Sequence, residues 1–303
     1  MTILLPLFAC MALGWGCSQW RLLPETLWPD VERLTYYLLL PAMLLSTLAA
    51  APTVTAEGLP AVSMAGALIS AVVGVTGLGL FLQARLRFDG PEFSSIFQGS
   101  MRPNIYVGLA AAAALFGQEG LTLSAVALLV MIPMVNLLCV PVVSFFGCRG
   151  DYGAGHIVLS ILKNPLLLAC AAGLGINLAG LPLPEPVFET IRLLGGAALP
   201  LGLMAVGAGL TIKELPRSWQ PVLVSCLLKF VALPGLTWLA CSLYRTPPRA
   251  AAICVLFAAV PAAASASVLA RQLGGDDRLM AAIITGQTIL AVATVPATIY
   301  LLG

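Results

Sequence analysis

The chain has 303 residues, of which 60% are hydrophobic and only 9% are charged. This composition excludes a water-soluble domain of that length and indicates a protein of the lipid bilayer. A net charge of +2 offers no basic surface for nucleic acid, and eight cysteines without metal-ligand spacing indicate neither zinc nor a disulfide framework.

Apolar segments follow one another along the whole chain. A helix needs about 20 apolar residues to cross a bilayer, and the segments that meet this length are 2–20, 31–51, 60–84, 93–116, 121–147, 156–180, 187–211, 219–243, 248–271 and 278–302. The first segment lacks a basic leader and a cleavage site, so we expect a retained helix. The sequence therefore predicts an all-α polytopic membrane protein with ten transmembrane helices.

Basic residues near the span ends predict the orientation, because cytoplasmic connections are enriched in lysine and arginine. With the N-terminus outside, the inner connections hold Arg21, Arg33, Arg85, Arg87, Arg149, Lys213, Arg217, Arg271 and Arg278, and the outer ones hold Arg192, Arg245 and Arg249. This asymmetry predicts that both termini lie outside.

An internal repeat relates the two halves of the chain. Five residues of the first half recur 159 positions later: Pro6, Gly14, Gly16, Leu40 and Pro41 as Pro165, Gly173, Gly175, Leu199 and Pro200. Each half carries five spans, an odd number, so the second half must enter the membrane from the opposite side. The pattern predicts two inverted repeats of five helices, a plan found in many secondary transporters.

Two prolines, Pro103 and Pro261, lie near the middle of the fourth and ninth predicted spans and are 158 residues apart. A proline inside a helix removes a backbone hydrogen bond and clashes with the preceding turn. The freed groups are tolerated at membrane depth only where protein or a wet cavity satisfies them. An ordinary kink is the alternative, but the matched pair favours two broken helices that cross near the midplane and direct amide-rich ends at an anion.

Two cations, Arg102 and Lys229, are the ionisable residues predicted deep in the membrane, where such residues are costly and usually functional. None of the thirteen acidic residues is predicted at that depth. A bound carboxylate would supply the countercharge, and a guanidinium can hold one by two hydrogen bonds. Alternatively, Arg102 holds the broken backbone and Lys229 satisfies freed carbonyls.

Polar residues near the breaks extend the candidate substrate site. Gln98 lies one helical turn before the deep arginine, and Ser265 and Ser267 follow the second break, where they could donate hydroxyls. Serines in apolar helices more often bond backbone or a neighbouring helix. Hydrogen bonding between helices is the expectation for Asn136 and Gln287.

Five motifs resemble the auxin efflux carrier family, whose bacterial members include proteins described as malonate and malate permeases. They are LTYYLLLPAMLLSTLA, FQGSMRPNIYVGLA, LKNPLLLACAAGLGINL, ALPLGLMAVGAGL and AAVPAAASASVLARQLGGD. The resemblance implies a scaffold of spans one, two, six and seven (1–51 and 156–211) and a mobile transport domain (60–147 and 219–303). It also implies a substrate site at the crossing of spans four and nine, without a cofactor.

The resemblance places Pro103 and Asn104 at the crossover positions of the fourth span and Pro261 at that of the ninth. Ala262 stands where an amide side chain could have mirrored Asn104, which makes the expected site asymmetric.

The expected function is a secondary carrier of a small organic anion, preferably a dicarboxylate such as malonate or malate, that works by elevator-like alternating access in the bacterial inner membrane. An aromatic weak acid as substrate and an anion sensor without transport are the alternatives. An intramembrane enzyme is disfavoured because nucleophile and metal motifs are missing.

The coupling ion, H⁺ or Na⁺, stays open, although the lack of a deep acid argues against a carboxylate proton relay. A homodimer through the scaffold is a further expectation.

Overall fold

The computed structural model describes residues 2–24, 26–51, 60–147, 154–212 and 219–302, and every regular element in these ranges is helical. The helices of the first half are α1 (Leu5–Gln19), α2 (Leu27–Leu34), α3 (Leu40–Ala49), α4 (Ala61–Leu86), α5 (Gly90–Met101) and α6 (Ile105–Phe146). Those of the second half are α7 (Ala154–Leu162), α8 (Pro165–Leu178), α9 (Glu185–Gly196), α10 (Ala198–Ala208), α11 (Trp219–Leu227), α12 (Leu233–Leu243), α13 (Pro248–Ala259), α14 (Ser265–Leu273) and α15 (Asp277–Leu302). Two five-residue π turns, Thr35–Leu39 and Leu228–Ala232, join α2 to α3 and α11 to α12.

Five helical stretches in the described part are long and apolar enough to cross a bilayer: Ala61–Leu86, Ile105–Phe146, Glu185–Ala208, Trp219–Leu243 and Asp277–Tyr300. Pro165–Leu178 and Pro248–Ala259 are also apolar but shorter, because each lies beside a break in a predicted span. These helices confirm an all-α, multi-pass membrane protein, while the ten-span layout stays a prediction.

The longest helix, α6, contains a sharp kink at Gly117, whose backbone angles are φ 56° and ψ −137°. A positive φ of this kind is readily adopted by glycine, which has no Cβ. The chain beyond the kink lies against the chain before it, since a Cβ added to Gly120 would be 2.3 Å from the carbonyl oxygen of Ala112. The kink therefore separates two helices, between the predicted spans 93–116 and 121–147.

One group of helices packs through close glycine contacts. Helix α1 packs against α10, and α3 packs against α8 and α9. A Cβ on Gly14 would lie 2.0 Å from the carbonyl oxygen of Met204, and a Cβ on Gly173 would lie 2.8 Å from that of Leu45. Gly173 and Met204 follow Gly14 and Leu45 by 159 residues, the displacement seen in the sequence.

A second group of helices surrounds the two prolines. Helix α4 packs against α12, α5 packs against α11 and α15, and α13 packs against α15. Helix α6 contacts both groups, and the ring of Tyr106 in α6 fills the space where Gly202 in α10 has no side chain. The functional division into a scaffold and a mobile domain stays a prediction.

Candidate functional site

Both prolines lie at interruptions of their helices. Helix α5 ends at Met101 and α6 begins at Ile105, whereas α13 ends at Ala259 and α14 begins at Ser265. The backbone at the two breaks is extended, with φ −70° and ψ 112° at Arg102 and φ −73° and ψ 153° at Val260. Each of these residues precedes a proline, which disfavours the helical conformation.

The two interrupted segments lie side by side and pair as an isolated antiparallel bridge between Pro103 and Ala262. The amide of Asn104 donates to the carbonyl of Pro261 at 2.8 Å, and the amide of Ala263 donates to the carbonyl of Arg102 at 3.2 Å. These bonds satisfy backbone groups that the breaks release. Pro103 pairs with the residue 159 positions later rather than with the second proline.

A fully buried amide side chain, Gln287 of α15, completes the bonding of the crossover. The carbonyl of Gly99 has no helical partner because residue 103 is a proline without an N–H group. Gln287 Nε2 donates to this carbonyl at 3.1 Å and to Ser225 Oγ at 3.0 Å, and its Oε1 accepts from the amide of Ala262 at 2.8 Å. One side chain thus bonds to both broken segments.

The deep lysine is buried within the protein. Lys229 is 0% exposed and stands in the second π turn. Its Nζ lies 3.4 Å from the carbonyl oxygen of Met101, the last residue of α5. A cation at the C-terminal end of a helix is favourable because the helix dipole is negative there. The position matches the alternative in which Lys229 satisfies freed carbonyls.

A cavity of about 330 Å³ opens beside the crossover. Its polar lining residues are Tyr36, Arg102, Asn136, Asn164, Ser265 and Gln272. The remaining walls are Pro103, Ile105, Met131, Ile132, Val135, Val140, Ala263, Leu269 and Leu273. Among the described residues that line it, Arg102 is the one charged side chain.

The guanidinium of Arg102 is positioned but not saturated. Its Nη2 donates to Asn136 Oδ1, which fixes one edge of the group. Its Nε is buried and has no hydrogen-bond partner in the part of the chain that the structure describes. Because a guanidinium has five N–H donors, Arg102 retains donors for a carboxylate in the cavity.

The far wall of the cavity carries two residues that the sequence did not single out as ligands. Asn164 Oδ1 caps the start of α8 by accepting from the amide of Leu166 at 2.9 Å, and its Nδ2 donates to Tyr36 Oη at 3.2 Å. The sequence signal for this cap is an asparagine directly before Pro165. The cap interrupts the sixth predicted span and brings Asn164 to the cavity.

The remaining predicted ligands divide between the cavity and the protein interior. Ser265 lines the cavity at the start of α14, where the amides of Ala266 and Ser267 donate to the carbonyls of Ala263 and Ala264 at 3.0 Å. Asn104 Oδ1 accepts from the amide of Val107 at 3.2 Å and starts α6. Gln98 is 0% exposed and its two polar side-chain atoms have no described partner. Gln98, Ser267, Pro261 and Ala262 do not line the cavity.

Comparisons with known proteins relate the second half of the chain to membrane transport proteins. Residues 154–299 match the family described as membrane transport protein. A protein of Rhizobium meliloti (strain 1021) named "Putative malonate transporter" is 31% identical over 147 residues. That match covers 48% of this chain and 46% of the relative, so the chain spans about half the length of the curated protein it matches. Residues 154–299 are thus similar to the membrane transport protein family, in keeping with the resemblance of the sequence to the auxin efflux carriers.

Proposed function

We propose that the protein is a secondary carrier that moves a small organic anion, with malonate or malate as the preferred substrate class. The observation that carries this proposal is the single guanidinium in the cavity beside the crossover, with donors still available. A buried cation without a protein carboxylate partner is stabilised when an anion binds. The name of the Rhizobium relative makes malonate the first substrate to test.

In this proposal the substrate carboxylate accepts two hydrogen bonds from Arg102, which lines the cavity. A second carboxylate is bound by neutral donors, for which Ser265 and Gln272 are placed on the cavity wall. Lys229 acts indirectly by fixing the end of α5. Asn104 and Gln98, with the crossover residues Pro103, Pro261 and Ala262 and the nearby Ser267, shape the site.

Transport follows by alternating access. The cavity lies between Tyr36 and Asn164, which belong to the proposed scaffold (1–51 and 156–211), and the crossover, which belongs to the proposed transport domain (60–147 and 219–303). The glycine contacts and the crossover bridge, all related by 159 residues, support two inverted repeats. We place the carrier in the bacterial inner membrane with both termini outside, as a homodimer through the scaffold.

Counterflow in proteoliposomes tests the proposal. Unlabelled malonate inside the vesicles should accelerate entry of labelled malonate in wild type. Arg102→Gln should raise the Kd for malonate at least about 30-fold, because loss of a buried charged hydrogen-bonding partner costs about 2–5 kcal/mol, and should abolish counterflow. Arg192→Gln is the matched control, since Arg192 is exposed on α9 and pairs only with Glu189 in the described part.

The outcomes separate the competing functions. Unchanged counterflow in Arg102→Gln contradicts the proposed site. Malonate binding without counterflow indicates an anion sensor. Stronger displacement of the label by indole-3-acetate than by malonate indicates a carrier of aromatic weak acids.

A further inference from the structure

A second, smaller cavity of about 40 Å³ adjoins the substrate cavity. The two share the wall residues Tyr36, Ile105, Ala263 and Ser265. The smaller one is also lined by Glu32, Leu40, Asn104, Tyr106 and Ala264. It therefore brings one carboxylate, that of Glu32, next to the crossover.

The polar groups around this carboxylate lack other partners. Asn104 Nδ2 and Tyr106 Oη are buried without a hydrogen-bond partner among the described residues, and their residues are 1% and 8% exposed. Glu32 itself is half-buried and forms no ion pair in the described part of the chain. Buried donors without partners normally indicate a missing ligand or water, so this pocket is equipped to bind a small polar species beside Glu32.

We propose that Glu32 binds the proton that is coupled to anion transport, an inference that rests on the proposed function. The sequence places Glu32 at the beginning of the second span and thus at a membrane end. Helix α2 and the π turn Thr35–Leu39 instead carry it to the pocket beside the crossover. The expectation that no carboxylate reaches the site is therefore revised by the position of this residue.

The coupling follows from the charges of the two adjoining cavities. Arg102 lines the substrate cavity and Glu32 lines the smaller cavity that adjoins it. A carboxylate bound to the Arg102 guanidinium adds a negative charge near Glu32. This additional charge favours protonation of Glu32. By linkage, protonation of Glu32 strengthens anion binding by the same factor. A cotransported proton also offsets the cost of moving an anion against an inside-negative potential.

Among the residues that the structure describes, few other titratable groups lie around Glu32. Tyr36 and Tyr106 face the same pocket, and Arg102 lines the adjoining cavity. Helix α10, which packs against α2, carries no ionisable side chain. On α2 itself, Asp30 and Arg33 are exposed. The single ionised ligand and the small volume fit a proton better than Na⁺, which requires several oxygen ligands.

Malonate-driven proton movement tests the inference directly. Wild-type proteoliposomes with a trapped pH-sensitive dye, in sodium-free buffer and with the membrane potential clamped by potassium and valinomycin, should acidify inside when malonate is added outside. Protein-free liposomes serve as the control that measures acidification by passive leak of protons or malonic acid. Glu32→Gln should lose this acidification and retain malonate counterflow, because exchange needs no net proton movement. Asp30→Asn, in the same helix but away from the pocket, should acidify like wild type.

A second measurement uses the wild-type protein alone, so its result does not depend on whether the Glu32→Gln variant folds. The Kd of the purified protein for malonate should rise by up to about tenfold per pH unit where Glu32 loses its proton, at pH values where malonate itself is fully ionised. A Kd that is flat over this range, or acidification that persists in Glu32→Gln, overturns the inference. So does sodium-dependent uptake without acidification. Absence of malonate counterflow in wild type instead contradicts the proposed function.

Discussion

Replacement of Gln287 by leucine tests whether one side chain holds the crossover together. The amide bonds Gly99 on the first broken segment and Ala262 on the second, and it is fully buried. Leucine has nearly the same size and packs without a cavity, but it can neither donate nor accept. The substitution therefore removes hydrogen bonds with little change in volume.

The structure sets the magnitude of this effect. The change leaves the N–H group of Ala262 and the carbonyl of Gly99 buried without partners, because Pro103 cannot restore the helical bond to Gly99. Each buried unsatisfied group costs about 1–3 kcal/mol, so the free energy of unfolding should fall by about 2–6 kcal/mol. The Kd for malonate should rise as well, because Arg102 follows directly on the segment that Gln287 fixes.

Unfolding in a denaturing detergent titration measures the loss of stability, and calorimetry measures the Kd for malonate. The matched control is Gln118→Leu, since Gln118 is exposed and the one described bond of its side chain, to the carbonyl of Thr47, is 3.5 Å long. This control should stay within about 0.5 kcal/mol of wild type. A Gln287→Leu protein with unchanged stability and unchanged affinity would refute the view that this amide holds the crossover.

Two further predictions concern the helix packing and the position of the guanidinium. Gly14→Ala should lower the free energy of unfolding by about 1–3 kcal/mol or more, because the new Cβ would lie 2.0 Å from the carbonyl oxygen of Met204. Gly175→Ala, with no atom within 4 Å of its Cβ, should unfold like wild type, and equal losses would contradict the packing. Asn136→Ala should raise the Kd for malonate about tenfold in calorimetry, because Arg102 loses its acceptor; an unchanged Kd would show that this bond does not orient the guanidinium.

The breaks in the fourth and ninth spans were predictable because a proline acts on its own backbone. Pro103 has no N–H group and restricts the residue before it, whatever the rest of the chain does. The repeat of 159 residues then predicted that the two breaks meet. The same displacement of 159 residues relates Pro103 to Ala262, with which it pairs. In the sequence alone, Pro103 instead matches Pro261, because both are prolines.

The side chains of the cavity were less predictable, because hydropathy gives the depth of a residue but not the direction in which it points. Arg102 and Lys229 are equally deep in the predicted spans, yet one lines the cavity and the other bonds the carbonyl of Met101. The contact between Tyr36 and Asn164 joins residues 128 positions apart and depends on how two helices rotate against each other. The substrate roles of all these residues stay predictions.

The most direct test of an anion site at the crossover is a crystal structure of the protein with bromomalonate, in which the bromine is located by anomalous scattering. We predict a bromine peak inside the cavity of about 330 Å³, with carboxylate oxygens about 2.7–2.9 Å from the guanidinium nitrogens of Arg102. A peak elsewhere in the protein, with the cavity empty and Arg102 bonded only to Asn136, would contradict the account.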